Sequence, residues 1–281
     1  PPIVEAVSRV IGAGTAWPAR NHSQIELAEL ITSRVPSIDL VRFCNSGSEA
    51  NMLALHVART HTGRIKVLMA RFGYHGSHEA FEAGFFGNQG DHTWPHTITA
   101  PWGDAEAFER ILAEQGDEIA AVFLEGFMGS SGLIDAPADF FKRVQAATTK
   151  AGALFVMDEV ISLRMSTGGH QQNLGVRPDL TTMGKIIGGG YPVGAVGGSS
   201  AFMSLLDPSR GRIFHSGTFN GNPVTTAAGI VSYGHLTSDH VTDMARRAAR
   251  LEQRLAAAAA SNGVPFSCRR VGSLQIGRAH V

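Results

Sequence analysis

The chain has 281 residues, 24 Lys+Arg against 24 Asp+Glu for a formal charge of zero, 43% hydrophobic and 17% charged residues. That balance argues against nucleic-acid or anionic-membrane partners, which need a basic footprint, and the composition is that of a folded globular chain able to bury a substantial core in one large domain, or one and a part. Two cysteines, Cys44 and Cys268, rule out a disulfide scaffold and point to a reducing, cytoplasmic setting, and no apolar run approaches the length of a membrane span.

In chain order, Pro1-Pro2 leads straight into a helical pattern with no signal peptide. Ile38 to Cys44 reads as a strand, Ser48 to Thr60 as a helix with Ala50, Leu53, Ala54 and Val57 on one face, and Ile65 to Ala70 as the next strand. Thr97 to Ala100 is a strand and Asp104 to Gln115 a helix capped by Asp104. Ile119 to Leu124 is a fully apolar strand. Pro137 to Lys150 is predicted as a helix with Pro near its first turn and Gly152 as its stop. Ala153 to Asp158, Leu180 to Met183 and Val193 to Gly197 complete the strands. From Asn222-Pro223 the pattern is helical as far as Ser261. The chain closes at Gly277-Arg278-Ala279-His280-Val281 inside a predicted strand, so it reads as the middle of a longer protein, with a large domain over 1–237 and the start of a small one over 238–281. Apolar strands alternating with amphipathic helices predict an α/β fold whose mostly parallel sheet is covered on both faces and binds ligands at the carboxyl ends of its strands.

Four segments there could carry chemistry. Asn45-Ser46-Gly47-Ser48-Glu49-Ala50 follows a strand and opens a helix, which suits a phosphate but equally a plain capping box. Asp158 and Val160 end an apolar strand two residues apart, so a carboxylate and an apolar group face one side. Lys185 stands between apolar residues and Gly188-Gly189-Gly190, a setting for a buried, reactive amine, though a surface Lys is the commoner outcome. In Phe72-Gly73-Tyr74-His75-Gly76, Tyr74 could lie flat on a planar ligand or simply pack on the surface. His75, His78 and Glu79 lack a third soft ligand nearby for a metal site. No Gly-x-Gly-x-x-Gly occurs, and Asp179 and Ile186 break any P-loop around Gly184-Lys185. A phosphate cradle, a carboxylate, an aromatic stacker and an amine are together what pyridoxal 5′-phosphate requires.

With these motifs the chain resembles the class III, fold-type I pyridoxal-phosphate aminotransferases, the group of glutamate-1-semialdehyde aminomutase and the ω- and β-amino-acid transaminases. The resemblance runs from Gln24-Ile25-Glu26-Leu27-Ala28 through the four segments to Ser216-Gly217-Thr218-Phe219-Asn220-Gly221-Asn222-Pro223. It implies Lys185 as the Schiff-base lysine, Asp158 as partner of the pyridine nitrogen, Tyr74 and Val160 on the two ring faces, and Ser46, Gly47 and Ser48 on the phosphate. It further implies Glu125 near the cofactor and Thr218 reaching the phosphate of a neighbouring subunit, hence a homodimer. Two departures stand out: Glu125-Gly126 where the family usually has Glu-Pro, and Ile161-Ser162-Leu163, one residue shorter than the aminomutase form and closer to the β-phenylalanine-type transaminases.

The implied activity is transfer of an amino group from a β-amino acid or related amine to a 2-keto acid. The alternatives are a glutamate-1-semialdehyde 2,1-aminomutase-like isomerisation, which would use the same Lys185, and a non-catalytic scaffold, which intact Lys185 and Asp158 argue against. Arg164 could bind a substrate carboxylate, but spacing alone favours a structural arginine.

Overall fold

A strand with no polar alternation has no face to offer water and must lie inside a sheet. In the computed structural model, which describes residues 1–17 and 19–279, this holds for β4 (Ile119–Glu125) and β5 (Leu154–Asp158), every residue of which is buried. They form the middle of a seven-stranded sheet with β1 (Leu40–Cys44), β2 (Lys66–Ala70), β3 (Thr97–Ala100), β6 (Leu180–Gly184) and β7 (Gly194–Gly198), in the order β1-β7-β6-β5-β4-β2-β3. Strand β7 runs antiparallel to both of its neighbours; the other pairings are parallel. The carboxyl ends of β1, β2, β4, β5 and β6 therefore share one edge.

Helices cover both faces. On one, α3 (Gly47–Thr62) and α4 (Glu79–Phe85) pack through Ala54, Val57 and Phe81 against Met69, Phe123 and Val156. On the other, α5 (Ala105–Gln115) and α6 (Phe140–Lys150) pack through Phe108, Phe140 and Val144 against Leu68, Val122 and Phe155. Helices α2 (His22–Arg34) and α9 (Pro223–Gly234) extend this cover over Phe43, Met183 and Ala195, with Tyr233 fully buried between them. Helix α1 (Pro2–Ala13) lies on α9 through Val7. Strand β7 is rich in glycine for a steric reason: a Cβ on Gly194 would stand 1.9 Å from the carbonyl oxygen of Ser46.

The predicted elements occur, with two differences. Helix α6 starts at Phe140, not Pro137: Phe140 N bonds Pro137 O in a preceding turn, so the proline shapes the entry rather than the first helical turn. The long helical stretch after Pro223 is two helices, α9 and α10 (Ser238–Ser261), separated where Thr237 caps α10 by accepting from His240 N. Short helices α7 (His170–Leu174) and α8 (Ser200–Met203) and a hairpin of β8 (Phe266–Val271) and β9 (Leu274–Ala279) complete the described chain. Among the described residues no helix is long and apolar enough to cross a membrane.

Candidate active site

The shared strand edge opens into a cavity of about 390 Å³. Ser46, Gly47, Ser48, Tyr74, Glu125, Asp158, Val160 and Lys185 all line it. Thr218 does not; it is exposed in the loop before α9.

The loop after β1 supplies an anion site. Ser46 is the cap of α3 and its hydroxyl accepts from Glu49 N at 3.2 Å, while Glu49 Oε2 accepts from Asn45 N at 2.8 Å. The capping reading and the phosphate reading thus hold together, since the cap leaves the amides of Gly47 and Ser48 in the first turn with no helical acceptor. Space there is tight. Gly76, at φ 95, runs so close that an added Cβ would lie 2.3 Å from Ser48 Oγ and 2.7 Å from Ser48 Cα. Gly76→Ala should therefore cost about 2 kcal/mol of stability, from overpacking added to a left-handed backbone. Urea denaturation checks this, and an unchanged midpoint would show that the loop yields freely.

Asp158 ends β5 and is 5% exposed. Its Oδ2 accepts from Asn51 Nδ2 and His75 Nδ1, both at 2.8 Å, and its Oδ1 accepts from Val160 N at 3.0 Å. Asn51 Oδ1 accepts in turn from Thr182 Oγ1 at 2.7 Å on the neighbouring strand. Three donors hold the carboxylate in one orientation, and Oδ1 keeps acceptor capacity beside Val160. His75 is fully buried, with its ring edge-on to Phe81 and Phe123, and its Nε2 has no partner among the described residues. Its other nitrogen must carry the hydrogen to serve a carboxylate. His78 is engaged elsewhere, capping α4. The sequence did not single out Asn51, and it offered His75 only as a metal ligand, not as a partner of Asp158. The available signal for Asn51 was an amide on the same helical face as Ala54, Leu55 and Ala58, where a polar group needs a partner.

Glu159, next in the chain, points away from the cavity. It is fully buried and accepts from the amides of His170 and Gln171, from Gln171 Nε2 and from Ser162 Oγ, tying the end of β5 to α7. Alternation thus gives Asp158 and Val160 to the site and Glu159 to the scaffold. Asp179 is also structural, its carboxylate accepting from Phe155 N.

Glu125, on β4 directly beside Asp158 in the sheet register, is 6% exposed and accepts from Tyr74 N at 2.9 Å and Gly129 N at 3.1 Å. Burial raises its pKa from 4.5 to about 7, reinforced by the Asp158 charge and opposed by His75 and the two amides. The folded state then keeps a proton that the unfolded chain releases between pH 4.5 and 7. Wild-type stability relative to Glu125→Gln should fall as pH rises through that window, by up to about 3 kcal/mol, and level off above it. Urea titrations of the cofactor-free proteins at pH 5 and 8 measure the difference; parallel curves would contradict it.

Lys185 follows β6 and lines the cavity, but it is exposed, which corrects the expectation of a buried amine. Its backbone sits in the left-handed region at φ 48, which side chains rarely adopt without a compensating role. Its amine makes no hydrogen bond or ion pair among the described residues, so it is available to a ligand. Tyr74 is 41% exposed and stands edge-on to Phe85. Tyr191, Pro192 and Phe127 also line the cavity and were not singled out in the sequence. The cavity can hold an anion at one end and a ring nitrogen at Asp158, and its wall also carries an amine, a flat aromatic and a branched aliphatic.

A family model described as aminotransferase class-III matches residues 1–276. A glutamate-1-semialdehyde 2,1-aminomutase of Ignicoccus hospitalis is 41% identical over 261 residues, which are 89% of this chain and 62% of that protein. The chain therefore spans somewhat under two thirds of that curated relative. Among solved structures, an omega-transaminase from Sphaerobacter thermophilus has a TM-score of 0.91 at 40% identity, covering 100% of this chain and 68% of that one. A beta-phenylalanine aminotransferase from Variovorax paradoxus has a TM-score of 0.89 at 38% identity, covering 99% and 64%.

Proposed function

The chain belongs to the class-III aminotransferases, and on that premise we propose that the whole protein is a transaminase moving the amino group of a β-amino acid or related amine to a 2-keto acid, with pyridoxal 5′-phosphate as cofactor. The observation that carries the reading is the convergence, on one cavity, of a free amine, a thrice-bonded carboxylate and a capped helix N-terminus, from residues up to 140 positions apart in the chain (Asn45 to Lys185).

The site fits the cofactor. The close approach of Gly76 to Ser48 shapes a cradle that any Cβ would fill, and Ser46, Gly47 and Ser48 there would hold the phosphate. Asp158 Oδ1 would hold a protonated ring nitrogen, since Oδ2 is already occupied by Asn51 and His75. Tyr74 and Val160 would bound the ring, and Glu125 would sit beside it. Bound there, the cofactor supplies an aldehyde that bonds to amines and a ring that withdraws electrons from the reacting carbon. Lys185 Nζ would be the point of attachment and, when free, would take and return the proton at the reacting carbon. Thr218, exposed and outside the cavity, would serve the phosphate of the second subunit in a homodimer.

The one-residue shortening between Val160 and Arg164 and the likeness to the Variovorax beta-phenylalanine aminotransferase favour a β-amino acid donor, and the likeness to the Sphaerobacter omega-transaminase favours transamination. The name of the Ignicoccus relative favours a second reading, a glutamate-1-semialdehyde 2,1-aminomutase. Assay of the full-length holoenzyme separates them. Consumption of pyruvate or 2-oxoglutarate with a β-amino acid supports transamination. Isomerisation of the semialdehyde without an acceptor supports the aminomutase. A borohydride-sensitive visible band rejects the scaffold, and its absence together with neither activity supports it.

A further inference from the structure

We propose that Asn51 is a positioning residue for Asp158: in a relay that begins at the Thr182 hydroxyl, its amide holds the carboxylate so that Oδ1 stays free as a charged acceptor for the ring nitrogen. The proposal rests on the pyridoxal-phosphate reading of the site, and Asn51 acts through Asp158 rather than on the reacting atoms. Asn51 lies in the second turn of α3, is 1% exposed and lines the cavity.

Both ends of the Asn51 amide are engaged. Nδ2 donates to Asp158 Oδ2 at 2.8 Å and to the carbonyl oxygen of His75 at 3.0 Å, and Oδ1 accepts from Thr182 Oγ1 at 2.7 Å. Thr182 is fully buried, and its hydroxyl fixes which way the amide faces. Turned end for end, the amide would set its oxygen against a carboxylate and a carbonyl, neither of which has a hydrogen to give. With Asn51 and His75 on Oδ2, Oδ1 carries only the bond from Val160 N and keeps capacity for a further donor. An amide N–H can only donate, so Asn51 serves an ionised carboxylate oxygen and not the O–H of an acid. Bonds to an ionised acceptor are also the stronger kind.

The same amide joins the segments that would carry the cofactor. Asn51 shares α3 with the cradle of Ser46, Gly47 and Ser48. Thr182 stands directly beside Asp158 in the sheet register, on the strand that ends before Lys185, and His75 follows Tyr74. A shift of any of these segments is therefore felt at the Asp158 carboxylate. Asn51, Thr182 and His75 are each at most 1% exposed, so the relay is closed off within the described residues and is built from bonds that are present.

The test compares two ligands of the full-length protein by equilibrium binding: pyridoxal 5′-phosphate, and its analogue with carbon in place of the ring nitrogen. The analogue keeps the phosphate and the aldehyde but offers Asp158 no donor. Wild type should bind the natural cofactor at least about tenfold more tightly, the difference one charge-assisted bond makes. Asn51→Leu, similar in size and without a polar group, should cut that preference at least about fivefold while binding the analogue within about twofold of wild type. Thr182→Val removes the hydroxyl and frees the amide to turn, and should cut the preference at least about threefold, whereas Thr182→Ser keeps the hydroxyl and should leave it within about twofold. In NMR of isotope-labelled cofactor, the ring-nitrogen signal should move in Asn51→Leu toward that of the unprotonated ring. Equal weakening of both ligands in Asn51→Leu would mark a merely structural residue and overturn the assignment, as would an unchanged preference in Thr182→Val. If Asn51→Leu does not fold, the two Thr182 variants decide. No preference in wild type would remove Asp158 as the partner of the ring nitrogen and the proposal with it. A wild-type preference lost in Asn51→Leu, with no donor transaminated, would support the relay while refuting the function proposed above.

Discussion

Lys185→Ala should lower kcat by at least about 10³-fold while leaving a folded protein, because one side chain carries both the covalent attachment and the proton transfer, and proton transfer alone is commonly worth 10²–10⁴-fold. The amine opens on the cavity, makes no hydrogen bond among the described residues and is placed there by a left-handed φ of 48 at the end of β6. No neighbouring residue on the cavity wall offers a second amine. Arginine cannot substitute, since its guanidinium does not give up a proton in proteins. Lys185→Gly separates strain from chemistry. Glycine adopts this backbone freely, so the variant should be inactive yet no less stable than Lys185→Ala. Single-turnover kinetics with a donor, alongside thermal unfolding, measures both. Near wild-type turnover in Lys185→Ala would remove the basis of the proposed function.

The second large effect is at Asp158. Asp158→Asn should lower kcat by about 10–10²-fold, the loss expected when a charged acceptor for a protonated ring nitrogen becomes neutral. The same change should cost about 1–3 kcal/mol of stability. Only an ionised carboxylate accepts from Asn51, His75 and Val160 N together; an amide must turn its own donor toward one of them. Asn51→Asp cannot compensate, because Asn51 Nδ2 also donates to the carbonyl oxygen of His75 at 3.0 Å, and a carboxylate there would have no hydrogen to offer. A kcat within about twofold of wild type for Asp158→Asn would remove its assigned role.

Much of this was open to a reader of the chain. The apolar runs of β4 and β5 admit no solvent face, Asp104 and Gly63 punctuate helices as their types dictate, and Asp158 and Val160 lie on one side because extended backbone alternates. The family resemblance lay in the order of short motifs, four of which sit at the carboxyl ends of β1, β2, β5 and β6.

The misreadings have local causes. Pro137 suits a first helical turn, but the chain turns there before α6, and the periodicity of α6 does not register where the turn ends. Lys185 has apolar and glycine neighbours along the chain, yet they pack beneath it and leave it open, because side-chain direction at a left-handed residue is set by the backbone around it.

What the sequence determined by itself was therefore the periodic and terminal signals that each act over a few residues: strands, helices, caps, and the side of β5 that faces the ligand. What the tertiary structure alone decided was partnership. Asn51 reaches Asp158 across 107 positions and Thr182 across 131. A buried polar group takes its meaning from whichever donor or acceptor the fold brings within about 3 Å, a distance that no spacing along the chain encodes.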